Sequence, residues 1–308
     1  MKYLQSTSAI FIALCFIFLL SPACEEVPPY IDFSEPDTTS VDTSNGNAGF
    51  LPIYKDSTAM LSGVPEAQEK VVMLEDFSGV RCSNCPDGHA KSEEILAANP
   101  NRISTMVIHS GFFAVPYTES EQSFSSSEGE SIASLVSVLG WPSGAIDRTL
   151  FDGENGIAIA NINVWSAKVN QQLAIPTPVN MYVYSEYNEA SRLLDVYVQL
   201  QYNTTETTPS QVTLAITESH IIDPQLMPNN SVNMSYEHNH IMRTLLTPPL
   251  GLAVDAPDQA AGRLWVKHFS MTLPNEWTAE NCEIVGFVHH TTGDSKQVLQ
   301  SANAHIIE

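Results

Sequence analysis

Two cysteines separated by two residues, Cys82 and Cys85, are the group in this sequence best suited to chemistry. They follow an apolar stretch that predicts a strand over 71–77 and precede a pattern that predicts a helix over 84–98. At such a junction the first thiolate is stabilised by free backbone amides and by the positive end of the helix dipole. The pair therefore predicts thiol–disulfide chemistry, with Cys82 as the nucleophile and Cys85 as the resolving cysteine.

Charged side chains close to the pair bear on this chemistry. Arg81 directly precedes the first cysteine, and its positive charge would lower the pKa of the Cys82 thiol further. Strand alternation turns Asp76 to the same face as Leu74, while Glu75 faces the opposite way. We therefore expect Asp76 to point inward, and a surface charge at the strand end is the alternative.

Two other uses of the cysteine pair stay open at this stage. A static disulfide would staple the loop to the helix without taking part in exchange. A zinc site would combine the pair with His89 and His109, but a second spaced pair of ligands is missing. Five histidines of the second half show no ligand spacing and are predicted to be structural: His238, His240, His268, His289 and His290. The sequence thus predicts no metal site, and Cys282 is expected to be a buried small hydrophobe.

The N-terminus carries an export signal. A basic start is followed by an apolar run over 9–20, too short to span a membrane comfortably. Small residues then precede Cys24, which resembles the lipobox of bacterial lipoproteins and predicts a signal peptide over 1–23 with lipid on Cys24. An ordinary signal peptide or a signal anchor is the alternative. Glu25 and Glu26 resemble the acidic tags of surface-exported lipoproteins in some Gram-negative bacteria.

Charge and motif content exclude several classes of function. The 308 residues hold 13 Lys and Arg against 35 Asp and Glu, a net charge of −22. Nucleic-acid binding needs Lys and Arg to neutralise phosphates, and anionic lipid surfaces also attract basic segments, so neither partner is expected. There is no glycine-rich phosphate loop and no nucleophile elbow, and the sequence predicts no cofactor.

Three regions follow the signal peptide. Residues 24–65 are rich in Pro, Ser, Thr and Asp, and predict a flexible acidic tether behind the lipidated cysteine. Residues 66–175 alternate strand and helix patterns, which predicts a parallel or mixed sheet. Residues 176–308 show period-two apolar runs between turn signals, which predicts an immunoglobulin-like β-sandwich. The predicted fold class is α/β followed by all-β.

Further elements are predicted inside these regions. Strands are expected over 103–109 and 144–147, and helices over 131–139 and 157–173. The polar segment 223–237 is expected to be a long loop.

Four sequence blocks together resemble one known family. The blocks are Leu74–Pro86, Val107–Phe113, Trp141–Gly144 and His238–Arg243. They resemble a family of thioredoxin-like outer-membrane lipoproteins found in Bacteroidetes-type bacteria and named after a 28-kilodalton outer-membrane antigen. The resemblance covers about 66–305 and implies a thioredoxin-like domain with an insertion near 111–130, then a β-sandwich, on an outer-membrane lipid anchor.

The same resemblance assigns roles to individual residues. Asp76 looks like the buried acid of thioredoxins, which accepts a proton from the second cysteine, Cys85. Trp141 and Pro142 resemble the loop whose cis-proline faces the cysteine pair in that fold. The chain departs from thioredoxins at Arg81, which replaces tryptophan, and at Trp141, a bulky residue before the proline. Ser83 and Asn84 also replace the usual Gly-Pro between the cysteines.

Two classes of function follow from these observations. The first is thiol–disulfide exchange through Cys82 and Cys85, with protein or peptide partners docking near Trp141 and Pro142. The second is a non-enzymatic binding or structural lipoprotein in which the cysteine pair is a static disulfide. Fold class does not decide between them.

Overall fold

A computed structural model describes residues 49–291 and 296–307. The predicted signal peptide, Cys24 and most of the predicted tether lie outside the described residues. Among the described residues, no helix has the length and apolar content needed to cross a bilayer. From Gly49 onward these residues belong to one compact unit.

The structure is a mixed α/β fold made mostly of sheet. The α-helices are α1 (Cys85–Ala98), α2 (Ser127–Leu135) and α3 (Trp165–Leu173). The strands of the first half are β1 (Ser57–Met60), β2 (Val72–Ser78), β3 (Ile103–His109) and β4 (Ser143–Ile146). Those of the second half are β5 (Val179–Asn188), β6 (Leu193–Tyr202), β7 (Ser210–Glu218), β8 (Ile221–Leu226), β9 (Val232–His238), β10 (Ile241–Leu245), β11 (Leu252–Ala253), β12 (Arg263–Thr272), β13 (Cys282–His290) and β14 (Val298–His305).

One long sheet runs through both halves of the chain. Its order is β14-β13-β7-β10-β3-β2-β4, with β11 added beside β7. The halves join where β10 pairs in parallel with β3, at Ile241 opposite Val107. There Val107 N donates to His240 O at 2.8 Å. Because the strand order continues across this joint, β10 and the residues next to it lie directly beside β3 of the first half.

Strands β2 and β3 are buried along their whole length. On one face of β2, Val72 and Leu74 pack with Ile95 of α1 and Trp165 of α3. On the other face, Met73 and Phe77 share a second core with Phe287 of β13. Parallel strands covered on both faces have near-continuous apolar sequences, which is the pattern that predicted β2 and β3.

A second sheet packs against the C-terminal part of the long one. Its order is β1-β12-β6-β5. Val198 of β6 and Trp265 of β12 share a core with Leu214 of β7 and Ile284 of β13. Inward-facing side chains alternate along these strands, as the period-two runs predicted.

Most predicted elements are present, with three differences. The helix expected over 131–139 is α2 at Ser127–Leu135, because the Ser126 side chain caps it by accepting from Gly129 N at 3.0 Å. The closing helix begins only at Trp165, because Ile159 pairs with the backbone of Gly144 instead of starting a helix.

The prediction of a long loop over 223–237 was wrong, because the segment forms strands β8 and β9. Its inward positions hold polar side chains, Asp223, Gln225 and His238, all buried. These side chains break the apolar alternation that normally reveals a strand.

Candidate functional site

The two cysteines form a disulfide at the junction between β2 and α1. Their Cα atoms lie 5.3 Å apart, and Cys85 is the first residue of the helix. Cys82 N donates to Gly79 O at 3.0 Å, and Cys85 N donates to Cys82 O at 3.3 Å. Cys82 is 3% exposed and Cys85 is fully buried. With both sulfurs in this bond neither is a free thiolate for zinc, and no group of three His, Cys, Asp or Glu in the described part of the chain is placed to hold a metal ion.

Arg81 holds the segment that follows β3. Its Nε donates to Val115 O at 2.7 Å and its terminal nitrogen to Pro116 O at 2.8 Å. The guanidinium also lies over the Tyr117 ring, 4.2 Å from its centroid. Arg81 N donates to Phe113 O at 2.9 Å. The donors of this side chain are therefore directed at the 111–117 segment.

Asp76 is fully buried on the face of β2 that α1 covers. Its Oδ2 accepts a hydrogen bond from Ser92 Oγ at 3.0 Å, and Oδ1 has no hydrogen-bond partner among the described residues. Burial raises the pKa of Asp76 to about 7, and the Ser92 hydrogen bond opposes this rise. The carboxyl group is thus poised to exchange a proton near neutral pH.

Pro142 packs against helix α1 at Gly88, close to the Asp76 carboxyl group. The Trp141–Pro142 peptide bond is cis, as the sequence predicted. A Cβ on Gly88 would lie 2.9 Å from Pro142 Cβ and 3.6 Å from Asp76 Oδ1. Only glycine fits here without a shift, so the helix, the proline and the carboxyl group converge at Gly88.

Trp141 packs over the turn that follows β3. Its Nε1 donates to Ser110 Oγ at 3.2 Å, and its ring lies edge-on to Phe113 at 5.6 Å. Gly111 adopts a φ of +65°, and a Cβ there would lie 2.5 Å from Trp141 Cζ2. The indole and the 110–113 turn therefore form one packed unit beside Pro142.

Glu75 is also fully buried, which the sequence did not predict. It faces away from Asp76 and accepts two hydrogen bonds from Arg148, at 2.8 Å and 2.6 Å. Strand alternation predicted only one inward carboxyl group, but β2 lies inside the long sheet and is covered on both faces. Both carboxyl groups are therefore inward.

Three histidines come together beside the cysteine segment. His89 Nε2 is 2.7 Å from Ser78 Oγ, and His89 Nδ1 is 2.9 Å from the Tyr236 hydroxyl. The rings of His109 and His238 lie 5.7 Å apart. Burial lowers the pKa of His89 to about 3 and that of His238 to about 4, and it holds that of His109 well below its usual value. These imidazoles are neutral at physiological pH.

The β8–β9 hairpin contacts the cysteine segment from the second half of the chain. Gln225 is fully buried, and its Nε2 donates to Cys82 O at 3.0 Å and to Gly79 O at 3.3 Å. Leu226 N donates to Val80 O at 2.8 Å. Sequence reasoning missed these residues, because nothing local to Gln225 or Tyr236 marks a contact with residues about 140 positions away.

Cys282 makes no disulfide with any described residue and is fully buried at the start of β13, as the sequence predicted. Burial raises the pKa of its thiol to about 12, and Glu218 adds to the rise. A thiol with so high a pKa is unreactive, so Cys282 is no competitor of the pair.

Comparison with known proteins gives one family and a shared fold. The family described as "Outer membrane protein Omp28" matches residues 130–307, more than half of the chain. Among solved structures, HBP35 of Porphyromonas gingivalis aligns with a TM-score of 0.62 and 14% identity, covering 79% of this chain and 77% of that one. A domain of the outer membrane lipoprotein Omp28 from Porphyromonas gingivalis aligns with a TM-score of 0.30 and 18% identity, covering 42% and 88%. No curated protein matches the chain.

Proposed function

The chain belongs to the Omp28 family of outer membrane proteins, and from this premise we propose that it is a lipid-anchored protein that exchanges thiols and disulfides. Membership of the family places it at the outer membrane. The proposed lipid attachment is Cys24, with residues 1–23 as the signal peptide and 24–65 as the tether. The envelope outside the inner membrane is a compartment in which disulfides form and persist.

The proposed architecture is a thioredoxin-like domain over 66–175 followed by an immunoglobulin-like β-sandwich over 176–308. The parallel β2–β3 pair, with α1 starting at the cysteines and β4 antiparallel to β2, supports the first domain. The packing of β5, β6 and β12 against β7 and β13 supports the sandwich. The similar fold of HBP35 supports the pair of domains.

The proposed reaction begins with the oxidised protein. A thiolate of a partner dithiol attacks Cys82 Sγ, the bond between the two protein sulfurs breaks, and Cys85 leaves as a thiolate. The second partner thiol, once deprotonated, attacks the partner sulfur that is bonded to Cys82, and Cys82 leaves as a thiolate. The protein disulfide thereby gains two electrons, and the partner dithiol becomes a disulfide.

Asp76 is the proposed proton carrier of this reaction. With a pKa of about 7, it is close to half protonated at neutral pH and can supply the proton that the Cys85 thiolate takes up. In the reverse direction it accepts the proton of the Cys85 thiol. Pro142, which contacts the same helix, is proposed to face the partner, and Arg81 and Trp141 to shape its docking surface.

One observation carries the proposal: a fully buried carboxyl group with an unpaired oxygen lies beneath the helix that begins at the disulfide. An unpaired buried polar atom costs free energy, and a static staple has no need of one. Buried groups whose pKa is shifted toward neutrality are concentrated at functional sites.

The experiment that tests exchange traps its intermediate. We expect the full chain carrying Cys85→Ser to accumulate a mixed disulfide between Cys82 and one cysteine of a disulfide-bonded unfolded protein, because the resolving thiol is gone. Cys82→Ser should form none, and Cys282→Ala should leave wild-type exchange unchanged. Absence of any adduct with Cys85→Ser, at a Cys82 thiol shown to be reduced, would refute the proposal.

The low exposure of the disulfide favours a second candidate. Cys82 is 3% exposed, and a partner thiol has little access to its sulfur in this conformation. In this alternative the protein binds a protein or peptide partner without exchange, through the surface beside Trp141 where Phe112 and Val115 are exposed. Partner binding that is equally tight in wild type and in Cys82→Ser, without exchange by either, would favour it.

A further inference from the structure

We propose that the β8–β9 hairpin is a gate over the disulfide, and that Gln225 is the positioning residue that latches this gate to the Cys82 segment. The inference rests on the proposed exchange function and deepens it, because it names the element that controls access to the reacting sulfur. It also gives a part of the second half of the chain a role in the chemistry of the first half.

The hairpin is built as a separate unit. Its two strands pair with each other and with no other strand of the described chain. Both ends of the hairpin connect to the long sheet, where β7 and β10 pair from Glu218 opposite Ile241. A two-stranded sheet is only marginally stable by itself, so this one depends on what its inner face touches.

Unusual backbone conformations flank the hairpin. His220, just before β8, has a φ of 60°, and His240, just before β10, has a φ of 56°. Residues other than glycine rarely adopt positive φ, and in the described part of the chain six others do so, among them Asn230 in the turn of the hairpin itself. Hinges are loop or element-terminal residues that absorb changes in φ and ψ, and His220 and His240 lie at such positions, between β7 and β8 and between β9 and β10.

The inner face of the hairpin is fastened by packed side chains and by polar contacts. Ile221 lies in an apolar cluster with Val80 and Phe124, and the His238 ring is 4.9 Å from the Phe124 ring. Gln225 Nε2 bridges Cys82 O and Gly79 O, and Tyr236 bonds His89 of α1 through its hydroxyl. Asp223 Oδ1 accepts from Glu121 N at 3.0 Å. The outer face is open to solvent, with Ile222 53% exposed. Opening the hairpin breaks these hydrogen bonds, each of modest net stability, and exposes Ile221 and His238, while the pairs that β7 makes with β10 and β13 are separate from it.

The Gln225 hydrogen bonds lie on the segment that carries the reacting sulfur, Cys82 Sγ. Attack on a disulfide requires approach to the sulfur that forms the new bond, and here that residue is nearly inaccessible. Gln225 holds the carbonyl groups before and at Cys82, and so fixes the loop in its buried position. Release of the hairpin removes this restraint and frees one side of the loop.

The test measures how fast the disulfide is reduced in the full chain. A small phosphine reductant is added, thiols are alkylated at intervals, and Cys82 is quantified by mass spectrometry. We expect Gln225→Ala to be reduced about fivefold faster than wild type, and Tyr236→Phe to be accelerated by a smaller factor, since each loses hydrogen bonds of the gate. The midpoint potential should stay the same, because the latch binds a carbonyl present in both redox states.

Gln201→Ala is the matched control. Gln201 is also a buried glutamine, and its Nε2 donates to the carbonyl of Gly49 at 2.8 Å, in the other sheet. We expect this variant to be reduced at the wild-type rate. A wild-type rate for both hairpin variants, or equal acceleration by Gln201→Ala, would overturn the gate.

Hydrogen exchange separates gate opening from global unfolding. In Gln225→Ala, the amides of β8 and β9 should exchange faster while those of β7 and β13 keep their protection. If β7 also loses protection, Tyr236→Phe decides, because it removes only one hydroxyl. The two proposals fail separately. If the disulfide is static but gated, Gln225→Ala still accelerates its reduction by the phosphine, while the trapping experiment gives no mixed disulfide.

Discussion

The two faces of strand β2 hold neighbouring buried carboxyl groups in opposite situations. Glu75 accepts two hydrogen bonds from Arg148, whose side chain is fully buried with it. Asp76 accepts one hydrogen bond from Ser92 and keeps an unpaired oxygen. Both carboxyl groups are removed from water, but only one of them has a charged partner.

The difference separates a structural carboxylate from a reactive one. On the Glu75 face, a second buried pair joins Lys70 to Asp147 at 3.0 Å, and Asp147 Oδ1 accepts from Met73 N. These contacts join Lys70 and Met73, at the start of β2, to Asp147, the residue that follows β4. On the Asp76 face, burial acts without a cation, so the carboxyl group is driven toward its neutral form. The same strand therefore carries a fixed charge and a proton that can move.

The largest effect is expected from removing the ion pair between Glu75 and Arg148. Glu75→Gln leaves the Arg148 guanidinium buried without a counter-charge, which costs about 3–5 kcal/mol of unfolding free energy. Urea unfolding at pH 7 measures it, with the exposed Glu119→Gln as control. A loss below about 1 kcal/mol would show that Arg148 finds other partners and that this face is not locked by the pair.

The next effect has the opposite sign. The pKa of Asp76 is about 7 in the folded protein against 3.8 for the free group. Its contribution to stability is full below pH 4 and is lost as the pH rises to 7, because the unfolded state ionises first. Over this range wild type should lose about 4 kcal/mol that Asp76→Asn retains. Parallel stability curves of the two proteins from pH 4 to pH 8 would contradict the unpaired face.

A smaller effect comes from the contact that joins α1 to Pro142. Gly88→Ala places a methyl group 2.9 Å from Pro142 Cβ, and must push the helix or the proline aside. We expect a loss of about 1–3 kcal/mol by thermal unfolding, together with slower exchange. Ala90→Gly, at an exposed position two residues further along the same helix, controls for helix propensity. Unchanged stability in Gly88→Ala would show that the site is looser than described.

The smallest effect tunes Asp76 itself. Ser92→Ala removes the hydrogen bond that lowers the pKa of the Asp76 carboxyl, so this pKa should rise further. The loss of one such bond corresponds to about 1 kcal/mol, and the pH profile of exchange should move upward by under one unit. Ser131→Ala, which removes a serine hydrogen bond from helix α2 at a half-buried position, should leave the profile in place. A downward shift would mean that another group controls the profile.

The sequence was most informative where local pattern decides structure. The strand–cysteine–helix segment and strand β3 follow from residues close together in the chain, whereas the cis bond before Pro142 was implied by the family resemblance. Five long strands of the second half, β5, β6, β7, β12 and β13, follow from alternation of apolar residues.

What sequence reasoning missed depends on distant contacts. The burial of Glu75 required Arg148, which lies 73 positions away, and required the long sheet to cover both faces of β2. The β8–β9 hairpin was hidden because its inner face meets polar groups of the cysteine segment, so polar residues occupy the inward positions. Local propensity contains no information on such a partner.

A redox titration of the full chain tests the central claim most directly. The protein is poised in glutathione or dithiothreitol buffers at pH 7, free thiols are alkylated, and Cys82 and Cys85 are read by mass spectrometry, with Cys282 as internal control. An exchange-active pair predicts a reversible midpoint above about −270 mV. A disulfide that resists reduction until below about −300 mV would contradict the account, because that is the range of structural disulfides.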